Sequence, residues 1–342
     1  EYLSFRIVHA PRTLIRGIYQ LQAAHWLRLK DGHIRQERYW KPTYAPPQQD
    51  RPAEGLVLDM LEARLQTSVK RRLSTTTTTG LYFSGGLGST AIAAAARDLH
   101  LMLPSFTIGF DDDPHPESPF AGRVARLLNI ENHGVTVGTH QVAGAVDNAI
   151  RALGSPNGNP AIILQYLLAQ QTANHASVIL SGDGSVELFG GRMLDRLGGA
   201  LRVAQAVERL PRRGRQAIRS LIGGAQRTRA LVTPPQQYGL ALALGGADVF
   251  STDERHRLLR HPYLVRPDVR QQVLEPYYTD LTTDPVNSVL NAYLHSQLIE
   301  DALLRAERTA HAYNISLRFP LLDHDLLKAV CELPGSFKLR RV

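Results

Sequence analysis

The nine residues Leu81 to Ser89, LYFSGGLGS, constrain this chain more than any other stretch. The apolar triplet Leu81, Tyr82 and Phe83 suits a buried strand, and the run Thr90 to His100 has the small and apolar residues of a helix. Between them Ser84, Gly85 and Gly86 form a turn in which small residues let backbone N–H groups crowd around an anion. The N-terminus of the following helix, where Ser89 adds a hydroxyl, aims at the same point. The pattern predicts a phosphate cradle. It lacks both the Gly-Lys-Ser/Thr that closes a Walker loop and the Gly-x-Gly-x-x-Gly of a dinucleotide fold.

Downstream, strands and helices alternate. Ser105 to Phe110 reads as a strand through Phe106, Ile108 and Phe110, followed by a helix with Phe120, Val124, Leu127 and Leu128 on one face. A strand near Val135 to Val137 precedes a helix carrying Val142, Val146, Ala149 and Ile150, then a helix over Ala161 to His175 and a buried strand over Ser177 to Leu180. Such alternation predicts an α/β fold, a doubly wound parallel sheet whose ligands lie beyond the carboxyl ends of the strands where the winding reverses. A second glycine-rich turn, SGDGSVELFGG at Ser181 to Gly191, follows the last of these strands and opens another helix. Ser181 and Gly182 are therefore expected to face the same anion. Asp183 reads equally as a base or orienting group and as the N-cap of the following helix.

The remaining segments are less regular. Ser4 to Arg6, Thr13 to Tyr19, His25 to Leu29 and the turn Asp31-Gly32 before Ile34 to Tyr39 read as short strands and turns. Pro42 to Pro52 is a proline-rich linker, and Gly55 to Arg72 has a helical period through Leu56, Met60, Leu61, Leu65 and Val69. Thr75 to Thr79 is β-branched and leads into the central strand. Arg192 to about Pro285 reads as mostly helical, and Asn287 to Arg308 as a helix with Leu290, Leu294, Leu298 and Leu304 near one face.

Composition excludes several classes. At 342 residues, 43% hydrophobic and 20% charged, the chain reads as a soluble globular protein of one or two domains. No apolar run approaches the roughly 20 residues that cross a bilayer, and no signal-like segment opens the chain, so a cytoplasmic protein without membrane contact is expected. The single Cys331 rules out an internal disulfide and argues against a thiolate metal site. The net charge of +8 includes a cluster at Arg202, Arg209, Arg212, Arg213, Arg215, Arg219, Arg227 and Arg229. No aromatic residues are interleaved there, so it reads as a solvated helix face, and nucleic acid is not an expected partner. The histidines, His311 and His324 among them, show no H-E-x-x-H or paired spacing, and no protein metal site is expected.

The two turns, together with ISLRFPLLDHDLL at Ile315 to Leu327, resemble the asparagine synthetase family, whose synthetase domain is of the ATP-pyrophosphatase (HUP-like) type. The family's second turn reads like SGEGSDELFGG and its later run like SLEVRVPFLDHRLV. The resemblance extends to residues 1–45, where HWLRLKDG and RYW are similar to the tail of a β-rich glutaminase domain. It implies that residues 46–54 form a linker and residues 55–342 the synthetase-like domain, with a helical C-terminal part.

The resemblance also implies chemistry. ATP is the expected cofactor, activating a small-molecule or peptide carboxylate as an acyl-adenylate before an amine attacks. A glutaminase domain or partner chain is the family's ammonia source. Because no glutaminase nucleophile stands in this sequence, closure of a lactam by the substrate's own amine, as in β-lactam synthetases and lasso-peptide cyclases, is the favoured reading. Asp183 falls where the family has a glutamate, and Arg318 is implied as a charge stabiliser. Ser316 stands where a glutamate precedes that arginine, and the family's catalytic lysine would fall after Val342, so Lys338 is not its counterpart.

The departure is at the cation site. The family's SGGLDS and GSDE carry aspartates that hold magnesium, and here those positions are Gly88 and Val186. A magnesium site is therefore doubtful on sequence grounds, and a degenerate homologue acting as a binding partner is the rival expectation.

Overall fold

The computed structural model describes residues 1–44, 52–111, 117–191, 249–250, 252–261, 272–274, 276–277 and 284–339, with the isolated Pro211. Two compact units are distinguished. One comprises residues 51–185 and 301–330, the other residues 1–50, 186–300 and 331–342.

The first unit is built on five parallel strands, β3 (Thr79–Tyr82), β4 (Ser105–Phe110), β5 (Asn132–Val137), β6 (Val178–Leu180) and β7 (Ser316–Arg318), in the order β5-β4-β3-β6-β7. From β3 the chain winds outward to β4 and β5 through helices α3 (Leu87–Asp98) and α4 (Glu117–Leu128). It then returns through α5 (Thr139–Leu153) and α6 (Ala161–Thr172) to lay β6 on the opposite edge of β3. Helices α2 (Glu54–Arg71), α3 and α4 form one packed series, while α5, α6 and the helix Leu304–His311 form another. This is the doubly wound α/β sheet, and its winding reverses between β3 and β6.

The core explains the strand assignments. Leu81, Phe83, Phe106, Ile179 and Leu180 are buried, which is what short apolar runs between two helical layers require. Gly80 marks the closest packing. A Cβ there would lie 2.7 Å from the Phe106 ring and 2.8 Å from Ile179 Cδ1. The C-terminal end of α2 is tied to the chain around β7, because Ser68 Oγ donates to the Pro320 carbonyl at 2.6 Å and Arg72 Nη1 to Asp323 Oδ2 at 2.7 Å. Asp323 also accepts the Asp325 N–H at 3.0 Å, so it sets the turn that opens the helix His324–Glu332.

The second unit holds an antiparallel hairpin, β1 (His25–Lys30) and β2 (His33–Arg38), closed by Asp31-Gly32. Residues 4–5, expected in a strand or turn, belong instead to the short helix α1 (Tyr2–Phe5), which puts Phe5 and Ile7 into a buried cluster with Val273 and Leu274. Thr13–Tyr19 is turn, with Thr13 Oγ1 bonded to the Ile15 and Ile18 carbonyls. The helix expected over 287–308 starts at Pro285, where Asp284 accepts the Val286 and Asn287 N–H groups.

That helix does not continue regularly. Leu294–Leu303 runs in wider π-type turns before the α-helix resumes at Leu304–His311. At its start His295 Nδ1 and Ser296 Oγ donate to the Asn291 and Ala292 carbonyls.

Three helix faces differ from the sequence reading. Leu56 is exposed and Val57 buried on α2, Phe120 and Leu127 are exposed while Ala121 and Ala125 are buried on α4, and Ile150 is exposed on α5. A helix lying close on a sheet needs small residues at the contact, and the bulky ones turn outward. The arginine cluster from Arg202 to Arg229 and residues 45–51 of the proline-rich linker lie outside the described residues. No described helix is long and apolar enough to cross a membrane.

Gly80→Ala places a methyl group where Phe106 and Ile179 already meet, and overpacking of this kind costs about 1–3 kcal/mol. The urea midpoint is expected to fall with an unchanged slope; an unchanged midpoint would show that the sheet core tolerates the methyl group.

Candidate functional site

Pairing of β3 with β6, Leu81 opposite Leu180, sets the two glycine turns side by side at the carboxyl ends of the strands. The first turn is closed by its own hydroxyls. Ser84 Oγ accepts the Gly86 N–H at 3.3 Å, the Ser84 N–H donates to Ser89 Oγ at 3.3 Å, and Ser89 Oγ donates to the Gly86 carbonyl at 3.1 Å. Gly85 has φ +72°, a left-handed conformation, and a Cβ there would stand 3.0 Å from the Phe120 ring. Gly86 opens α3 with no side-chain cap, so the first-turn N–H groups and the helix dipole face outward from the turn.

The second turn presses against the first. A Cβ on Gly182 would lie 2.8 Å from the Ser89 nitrogen, so only glycine admits this backbone-to-backbone approach. Gly184, at φ +94°, is needed for the turn itself, since a Cβ would meet Leu322 at 2.5 Å. The turn is anchored below by the Ser181 N–H, which donates to the Arg318 carbonyl at 2.9 Å. Ser84, Gly85, Gly86, Ser89, Ser181 and Gly182 are thus brought together.

Asp183 and Arg318 are placed differently from one another. Asp183 Oδ2 accepts the Ser181 hydroxyl at 2.6 Å, and no N–H of the following helix, Ser185–Phe189, is among its described partners. Burial drives its pKa upward, against the opposing pull of the Ser181 hydrogen bond and the Arg305 charge. Arg318, implied as a charge stabiliser, instead uses its guanidinium on the end of α2: Nη1 donates to the Arg72 carbonyl at 2.7 Å and the Leu73 carbonyl at 3.0 Å. Its own carbonyl is what touches the second turn.

The two positions at which the family carries aspartates offer no carboxylate here. A Cβ at Gly88 would stand 2.7 Å from Cβ and Oγ of Ser185 and 3.0 Å from the Gly182 carbonyl, so at this spacing of the turns a side chain there would have to displace them. Val186 offers no oxygen ligand. Among the described residues no group of three or more His, Cys, Asp or Glu side chains could hold a metal ion.

Sequence reasoning missed a buried polar network in the same unit. Asp301 accepts Asn157 Nδ2 at 2.7 Å, Asn159 Nδ2 at 2.8 Å and Arg305 Nε at 3.0 Å, while Arg305 Nη1 donates to Gln165 Oε1 at 2.9 Å. Arg305 therefore joins Asp301 by contact and Asp183 by charge. The available signal was an opposite-charge pair at i, i+4, Asp301 and Arg305, on a helical run.

Burial opposes the charge on Asp301, but Arg305 and the two asparagine amides outweigh it and hold the pKa below its ordinary 3.8. A carboxylate with a depressed folded-state pKa stabilises the fold above the unfolded value and loses that contribution as the pH falls through the folded one. Asp301→Asn is expected to lower the melting temperature at pH 7 and to narrow its gap from the wild type at pH 3. A gap that stays constant across that range would remove Asp301 as the titrating group.

Comparison with known proteins bears on the same residues. The sequence model of the asparagine synthase family matches residues 60–341. Asparagine synthetase (glutamine-hydrolyzing) 1 of Bacillus subtilis strain 168 is 25% identical over 99% of this chain and 53% of its own length. Amidase chyE of Penicillium rubens is 24% identical over 96% of this chain and 54% of its own. The chain thus spans about half the length of these curated relatives. Among solved structures, NMN synthetase from Francisella tularensis overlaps 41% of this chain and 58% of that one, at 16% identity and a TM-score of 0.30. With the family's sequence pattern matched across most of its length and the paired glycine turns in place, the chain belongs to the asparagine synthase family.

Proposed function

We propose that this chain is the synthetase part of an ATP-dependent amide-forming ligase. The observation that carries the reading is the contact of two glycine turns, one of them opening an uncapped helix, at the point where the winding of the sheet reverses. In this reading a carboxylate oxygen of the acid substrate attacks the α-phosphorus of ATP, and pyrophosphate leaves into the nest of Ser84, Gly85, Gly86 and Ser89 with Ser181 and Gly182 opposite. The amine nitrogen then attacks the acyl carbon, AMP departs, and the proton lost by nitrogen passes to Asp183. Arg318 enters as a positioning residue, holding Ser181 through its carbonyl. The acid is a small-molecule or peptide carboxylate, and lactam closure by its own amine is the finer form of the proposal. A glutaminase domain, for which the β1–β2 hairpin and residues 1–45 would be the tail, is the alternative amine source.

A second reading has its own observation. Gly88 and Val186 stand where the family carries its magnesium-binding aspartates. A homologue that keeps the cleft but not the chemistry, and binds a partner through it, accounts for that double replacement. Calorimetry separates the two: ATP binding tightened by magnesium supports the ligase, and ATP binding that is absent or indifferent to magnesium supports the partner.

The ligase is tested by AMP release from ATP in the presence of candidate acids and amines, with magnesium or manganese varied. Asp183→Asn is expected to lower kcat by about 10²-fold or more while leaving ATP affinity unchanged. Because burial raises the Asp183 pKa, the carboxylate weakens the fold at pH above that value, and the same variant is expected to melt no lower than the wild type at pH 7. AMP release by the variant at the wild-type rate would remove Asp183 from the chemistry, and no AMP from the wild type under any metal would remove the ligase.

A further inference from the structure

In the unit that carries the hairpin, we propose a binding site for a small oxyanion, a phosphate or carboxylate group, in the cavity lined by Arg38, Lys41, Tyr44, Tyr277, Asn291 and His295. The site shares no residue with the glycine turns, whose Ser84, Gly85, Gly86, Ser89, Ser181 and Gly182 belong to the other unit.

Its floor is held firmly. Asn291 is 5% exposed, donates Nδ2 to the Tyr277 carbonyl at 2.6 Å and accepts the Tyr44 hydroxyl at 3.1 Å. His295 stacks on Tyr277 with ring centroids 4.2 Å apart and 16° between planes. Its Nδ1 bonds the Asn291 carbonyl at 2.9 Å, which places the proton on Nδ1 and leaves Nε2 to accept Arg38 Nη2 at 3.3 Å. Arg38 Nε donates to the Trp40 carbonyl at 2.9 Å, so the guanidinium is oriented from two sides.

The chemistry of the walls is one-sided. Two cations, Arg38 and Lys41, line the cavity with an imidazole and phenol groups, and no carboxylate is among the described residues that line it. Among the described residues neither Arg38 nor Lys41 has a carboxylate partner. Glu300, the acid within electrostatic reach of Tyr277, has one oxygen on the Ala10 N–H at 3.2 Å. Positive charge collected in a recess attracts anions more strongly than the same charge on an open surface. An oriented guanidinium recognises the paired oxygens of phosphate or carboxylate.

The recess holds about 270 Å³, just below the range of about 300–1,000 Å³ usual for drug-sized ligands, and a single phosphate or a short dicarboxylate fits within it.

Calorimetric titration of the full chain with inorganic phosphate, and separately with malonate, tests the inference. Arg38→Gln combined with Lys41→Gln is expected to weaken binding at least 10-fold, while Ser84→Ala in the glycine turn leaves this event in place. Tighter phosphate than malonate identifies a phosphorylated ligand, and the reverse a carboxylate. Lys41→Gln alone carries the test if the double variant does not fold, because Lys41 is exposed; a loss of several-fold is expected. Wild-type affinity in these variants, or binding abolished by Ser84→Ala, would overturn the site.

Discussion

The approach of Gly182 to the Gly88–Ser89 backbone is the constraint from which the site follows. Two parallel strands deliver their turns to one spot, and only residues without side chains let the turns touch there. The consequence is a nest of N–H groups and hydroxyls presented by a rigid sheet rather than by a flexible loop, which is what preorganised anion binding requires. Below the turns, the Ser181 N–H rests on the Arg318 carbonyl, and the Arg318 side chain rests on the end of α2. The second turn is thus set by a chain of contacts that reaches from one edge of the sheet to the helix packed beside it.

Charge is buried behind this nest with its partners attached. Asp301 is compensated by one guanidinium and two amides, and its ionised form is favoured despite burial. Asp183 has one hydroxyl and a more remote cation, and burial wins. Two carboxyls that share Arg305 are thereby driven in opposite directions by the number of donors each has to set against burial.

Much of this was legible in the residues. Leu81 to Phe83 and Ser177 to Leu180 are short apolar runs ended by small polar and glycine-rich turns, which is a local signal, and the parallel sheet and both turns follow from it. The burial of Ala121 and Ala125 beneath exposed Phe120 and Leu127 was not legible, because the spacing of a helix face says where a contact is and not how close it comes. The network of Asp301 joins residues 157, 159, 165 and 305, and the cation cavity joins residues 38, 41, 44, 277, 291 and 295; such groupings exist only once the chain is folded. The wide turns over Leu294–Leu303 were not legible either, because the spacing of Leu290, Leu294, Leu298 and Leu304 suits an unbroken helix.

The packing of Ser185 against Gly88 has a bearing on how this sequence can change. The family's second turn carries a serine at the same place, so an aspartate at position 88 asks not for a smaller residue 185 but for the two turns to stand slightly further apart than they do here. What a return to the family's usual residue would have to move is backbone, and the glycines of both turns are where that movement could be taken up.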